Sequence, residues 1–143
     1  MRKKLQAFWI IALITTSCNA PAPFEDLASA VAAIPPPVGA SEFERLEHRE
    51  YPSRSIVITY KTALSEAQIF SYYSPRLIAQ HWVLCDIGTV SKWGKDTAER
   101  EAIFARGRIE FVIDFLPGSN GYASRFSIWA RTDMLKTCVE RKH

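Results

Sequence analysis

Few residues in this chain have the type and spacing for bond-making chemistry. Glu110 and Asp114 are four positions apart, which puts both carboxylates on one face of a strand. At about 3.3 Å per residue their separation is roughly 13 Å, wider than the roughly 5–9.5 Å of a glycosidase pair. His48, His81 and His143 show no i, i+4 partnership and give a zinc site no local support. His81 reads as a helix C-terminal residue near the last carbonyls, and His48, between Glu47 and Glu50, as part of a charged solvated segment. Ser119 sits in Gly118-Ser119-Asn120-Gly121, a hairpin loop without the glycine spacing of a nucleophile elbow. No glycine-rich loop precedes a helix as a phosphate cradle does. The expectation is a non-enzymatic protein with no catalytic residue, metal or cofactor.

Recognition chemistry has a better candidate. By alternation Arg108, Glu110, Val112 and Asp114 share one strand face, and Arg125, Ser127, Trp129 and Arg131 share another. Opposite charges on adjacent strands usually form cross-strand pairs on a solvated sheet. A tryptophan among them can anchor a partner or stack on a sugar ring. The candidate binding face is therefore Trp129, Arg125, Arg131 and Arg108, unless the segment from Asp133 to Val139 covers Trp129.

The elements that must position these residues follow from periodicity. Ser55–Lys61 reads as a strand. Ser65 and Gln68 have capping-box spacing and open a helix over residues 66–80, with Ile69, Tyr73, Leu77 and Ile78 towards the core. Pro75 either kinks that helix or starts a second one capped by Ser74. Residues 82–90 form the next strand and residues 91–97 a polar turn. A hairpin of residues 101–105 and 108–116 joins around Arg106-Gly107, the turn Pro117–Gly121 follows, and residues 122–131 form the last strand. Ile109, Phe111, Ile113 and Phe115, with Tyr122, Phe126, Ile128, Ile56, Ile58 and Tyr60, should face the helix. The expected fold is α+β, a two-layer sandwich in which one main helix packs on a mostly antiparallel sheet in β-α-β-β-β-β order.

The N-terminus carries a different kind of information. Arg2-Lys3-Lys4 precedes an apolar run from Leu5, which ends at Ser17-Cys18. Leu5–Ser17 spans only about 20 Å as a helix, short of the roughly 30 Å bilayer core. A charged n-region, an apolar h-region and a small-residue boundary are the parts of an export signal. Ser17-Cys18 resembles the lipobox of bacterial lipoproteins and departs from its usual pattern at Thr15, where leucine is common. The resemblance covers residues 1–18. It implies cleavage before Cys18, lipidation of its thiol by diacylglycerol, palmitate-type acyl chains and attachment to the cell envelope. Asn19 after the cysteine implies the outer membrane, facing the periplasm. Plain cleavage after Ala20 or Ala22 meets Pro21 or Pro23, and an uncleaved anchor meets the short apolar run.

Organisation, charge and cysteine count are read from there. Residues 1–17 are the signal, 18–50 a Pro/Ala-rich tether and 51–143 the small domain. Within the tether, Phe24–Ile34 can form a short helix, and Ser41–Glu44 has capping-box spacing for a small charged helix to about His48. Without Arg2, Lys3 and Lys4 the 18 Lys+Arg fall to 15, matching 15 Asp+Glu. A neutral mature chain argues against nucleic acid as a partner. Export to an oxidising compartment gives Cys85 and Cys138 a disulfide reading, against two unrelated thiols. The expected function is a lipid-anchored envelope protein acting as a binding or accessory module, with the membrane and an envelope protein as partners. The alternatives are an immunity or inhibitor protein and a small periplasmic hydrolase acting on cell-wall material.

Overall fold

The computed structural model describes residues 22–50, 53–92, 95–116, 118 and 124–132, with residues 90–92 and 95–98 described by backbone alone. The order is α1 (Phe24–Ala32), β1 (Ser41–His48), β2 (Ser55–Thr62), α2 (Glu66–Ala79), β3 (Val83–Lys92), β4 (Lys95–Arg106), β5 (Ile109–Leu116) and β6 (Ser124–Thr132). The six strands form one sheet in the order β1-β2-β6-β5-β4-β3. Every neighbouring pair is antiparallel. Four reversals separate β2 from β3, so those two strands run the same way. The α2 segment must therefore cross the sheet to join them.

Both helices contribute to one core with the inner face of the sheet. Leu27, Ala30 and Ile34 from the α1 region meet Ile69, Tyr73 and Leu77 of α2 over Ile56, Ile58, Phe111, Ile113, Phe126 and Ile128. Tyr73 is the hub, with ring centroids 6.1 Å from Phe111 and 5.9 Å from Phe126. Tyr60 stacks on Phe126 at 5.0 Å, and Trp82 meets Phe111 edge-on at 5.7 Å. Such aromatic pairs add about 0.5–1.5 kcal/mol each beyond burial.

Local signals explain α2. The Ser65 hydroxyl accepts from the Gln68 amide, and the Gln68 side chain accepts from the Ser65 amide, closing the capping box. At the other end the His81 and Trp82 amides bond back to Ile78 and Leu77, a Schellman arrangement, with His81 at φ 64°. It is the backbone of His81, in a conformation that suits glycine, that satisfies the carbonyls. The helix runs through Pro75, an exposed residue whose missing donor costs the solvent-facing side one bond. Ile78, expected inward, is exposed.

Four expectations are corrected. There are two helices in the core rather than one main helix, and six strands rather than five. The segment read as a tether, from Ala22 to His48, belongs to the fold: α1 is buried through Phe24, Leu27, Ala30 and Val31. The charged helix expected over residues 41–48 is the edge strand β1, paired with β2 along its length. The capping-box spacing of Ser41 and Glu44 suggested that helix, and the strand was masked by a bulge: Glu42 faces Tyr60 and Glu44 faces Thr59, so Phe43 is an extra residue that breaks the two-residue alternation. Finally, β3 and β4 extend to Lys92 and Lys95 through what was read as a longer turn. The turn at Pro117–Gly121 and Tyr122 lie, apart from Gly118, outside the described residues.

Candidate functional site

The outer face of the sheet is organised in rows set by strand register. One row runs Leu46, Val57, Trp129, Val112 and Ile103. Five strands at about 4.8 Å spacing make it roughly 19 Å long. Ile103 and Val112 are buried, Trp129 is half-buried and Leu46 is 57% exposed. The adjacent row runs His48, Ser55, Arg131, Glu110 and Ala105. Here Arg131 Nε donates to Glu110 Oε2 at 2.6 Å, across directly opposed strands. Glu110 is only 2% exposed, so its charge is balanced inside the protein rather than by water. On the other side of Trp129, the hydroxyls of Thr59 and Ser127 share a hydrogen bond of 2.9 Å. The expected cross-strand pair is present as Glu110–Arg131, while the expected solvation is corrected at the centre of the face, where Glu110, Val112, Ile103 and Ser127 are buried.

A cavity of about 490 Å³ opens at one end of these rows, lined by His48, Ser53, Arg54, Ser55, Glu110, Trp129, Arg131 and Thr132. Two of its residues bury a polar atom with no hydrogen-bond partner, Nε1 of Trp129 and Oγ1 of Thr132. Unsatisfied polar atoms cost about 1–3 kcal/mol each, and native structures contain few of them. The guanidinium groups of Arg54 and Arg131 supply donors to this cavity, while the unpartnered indole N–H and hydroxyl of its lining residues are themselves buried. The cavity suits a ligand that offers acceptor oxygens and an apolar surface for the indole.

Of the four residues picked out by sequence, the structure brings together Trp129 and Arg131 only. Arg125 lies near the other end of β6 and packs its guanidinium over Phe43, 4.6 Å from the ring centroid. Lys61 approaches the same ring at 4.3 Å. Arg108 belongs to the two-residue turn between β4 and β5, where Gly107 takes φ 60°. There it lines a separate cavity of about 610 Å³ with Ala22, Pro23, Asp26 and Arg106. His48, Arg54 and Thr132 are site residues that the sequence reading did not single out. Strand pairing puts His48 and Arg54 there, and the bulge in β1 hid the strand that carries His48.

Cys85 is the extra residue of a bulge in β3 and is disulfide-bonded. Its expected partner Cys138, the lipidation residue Cys18 and the signal segment lie outside the described residues. Among the described residues no group of three or more His, Cys, Asp or Glu side chains gathers in a way that could hold a metal. No described helix is long and apolar enough to cross a membrane. Comparison with protein-family models, with curated proteins and with solved structures gives no match to this chain.

Proposed function

We infer that the chain is a lipid-anchored protein of the cell envelope, attached through Cys18 to the outer membrane and facing the periplasm. Its α+β domain acts as a non-enzymatic binding or accessory module whose partner sits against Trp129 and Arg131. The observation that carries the binding role is the cavity lined by the Trp129 ring and the guanidinium groups of Arg54 and Arg131, two of whose lining residues also bury an unpartnered polar atom. The observation that favours binding over hydrolysis is the Glu110–Arg131 pair. The Glu110 carboxylate is buried and its Oε2 already accepts from Arg131, so it is not presented to a substrate as a free acid–base group. With the Cys18 thiol carrying lipid, Cys138 is the cysteine left to pair with Cys85.

The test uses the acylated chain and its Trp129→Ala variant, each crosslinked in intact cells and purified from membranes. A stoichiometric envelope partner recovered by the parent chain and lost in the variant, with thermal stability within a few degrees, supports the reading. Equal recovery by both chains counts against the Trp129 face. Turnover of cell-wall fragments, abolished by Glu110→Gln, would transfer the assignment to a hydrolase.

A further inference from the structure

The position of Ala22 limits how far the domain can stand from a membrane. Ala22 is 7% exposed and belongs to the core, and α1 begins two residues later. Four residue steps separate it from Cys18, a reach of at most about 14 Å at roughly 3.6 Å per residue. Headgroups occupy about 5–7 Å on each side of the hydrocarbon core. Ala22 is then held within about 8 Å of the headgroup layer, comparable to the Debye length at physiological salt. A 33-residue tether from Cys18 to Glu50 would have allowed the domain far more freedom. Folding α1 and β1 into the domain removes that freedom.

Arginines surround this point. Arg54 donates from Nη1 to the Ala22 carbonyl at 3.1 Å. The Arg49 guanidinium lies 4.1 Å from the Phe24 ring centroid. Arg106 and Arg108, from the β4–β5 turn, line one cavity with Ala22 and Pro23. Acids are interspersed: Asp26 lines that cavity and Glu47 pairs with Arg49. The region is mixed in charge, so bulk attraction to an anionic surface does not act alone. Guanidinium groups pair with individual phosphate oxygens through charge-assisted, geometrically matched bonds, and every phospholipid headgroup carries a phosphate. A short leash gives such contacts a millimolar effective concentration, so weak contacts stay occupied.

We propose that the end of the sheet around Ala22, Arg54 and the Arg106–Arg108 turn is a membrane-apposed face whose arginines engage phospholipid headgroup phosphates. This rests on lipidation at Cys18. It also sets the orientation of the Trp129 cavity, which shares Arg54 with this end and opens beside the headgroup layer.

The test compares the acylated full chain with a variant carrying a flexible Gly/Ser spacer of about 20 residues between Ala20 and Pro21, roughly 25 Å of added reach. Both are reconstituted in vesicles of phosphatidylcholine doped with phosphatidylglycerol. Amide hydrogen exchange is followed at residues 106–109 and at the opposite end, in the β3–β4 hairpin. The spacer precedes Ala22, the first described residue, and matching thermal melts of the two chains are the control that both fold alike. Exchange at residues 106–109 should be about threefold slower in the parent chain than in the spacer variant, with the hairpin unchanged. High salt should remove most of that difference. Equal exchange in acylated, vesicle-bound chains overturns the apposed face, as does protection indifferent to salt for the phosphate contacts. Absence of acyl mass on Cys18 instead overturns the anchoring beneath it.

Discussion

Each side of this protein buries polar atoms without partners, and their surroundings differ. In the core, Tyr73 Oη and Trp82 Nε1 are sealed among aromatic rings. Burial pushes the Tyr73 hydroxyl far above the usual phenol range, and the whole residue is buried. At one end of the sheet, Trp129 on the outer face and Thr132, which alternates to the other face, each bury an unpartnered polar atom and line a cavity of about 490 Å³. The same defect has two meanings. In the core it is a cost of packing a large ring where shape matters most. Beside a cavity it belongs to a side chain that lines open space, which is why the functional reading rests on Trp129 rather than on Tyr73.

The comparison is broken most severely by truncating one large side chain on each side. Phe111→Ala should cost about 3–5 kcal/mol, because Tyr73 and Trp82 both pack on that ring. Trp129→Ala, from a half-buried position, should cost less than about 2 kcal/mol while removing the ligand. Chemical denaturation of the two variants measures the difference, and equal losses would mean the outer face is core in all but name.

The buried ion pair sharpens the contrast next. Arg131 is 38% exposed at its side chain and Glu110 only 3%. Arg131→Met should therefore destabilise by roughly 2–3 kcal/mol, since it withdraws a guanidinium from a buried carboxylate. Glu110→Gln should cost about 1 kcal/mol, because water can reach the arginine. The reverse order in urea midpoints would show that the pair is balanced elsewhere.

Removing the orphan hydroxyls comes third. Tyr73→Phe and Thr132→Val should each gain about 1 kcal/mol by eliminating an unsatisfied buried group. Only Thr132→Val should also weaken partner recovery. A loss of stability in both would remove the distinction between the two sides.

The smallest effect belongs to Glu42 on the edge strand. A side-chain hydrogen bond from Arg45 holds its carboxyl below the usual range. A folded-state pKa below the unfolded one gives stability that is present above the unfolded value and lost as pH falls through the folded value. The pair is exposed, so the loss towards acid pH should be under about 0.5 kcal/mol. It should be absent in Glu42→Gln, as pH-dependent thermal melts would register.

How legible the protein was depends on where its signals are local. The α2 helix was readable because Ser65 and Gln68 announce its start and Ile69, Tyr73 and Leu77 keep a helical period. The inner rows of β2, β5 and β6 were readable from strict alternation. A short helix over Phe24–Ile34 was readable, but its place in the core was missed although Phe24, Leu27, Val31 and Ile34 fall on one face. Prolines on both sides suggested a spacer, no side chain caps its start, and its stability comes from tertiary contact. In β1 the capping-box spacing of Ser41 and Glu44 suggested a helix start, and the bulge at Phe43 broke the alternation that would have marked a strand. The site divided in the same way. Trp129 and Arg131 were found because they share a strand face, whereas Arg54 and His48 enter only through the pairing of β1, β2 and β6.

The most direct measurement is the intact mass of the protein from the membrane fraction, with Cys18→Ala alongside. The account expects a chain that begins at Cys18, carries acyl mass and loses both features in the variant. A chain without acyl mass, or one that keeps Met1, would contradict it.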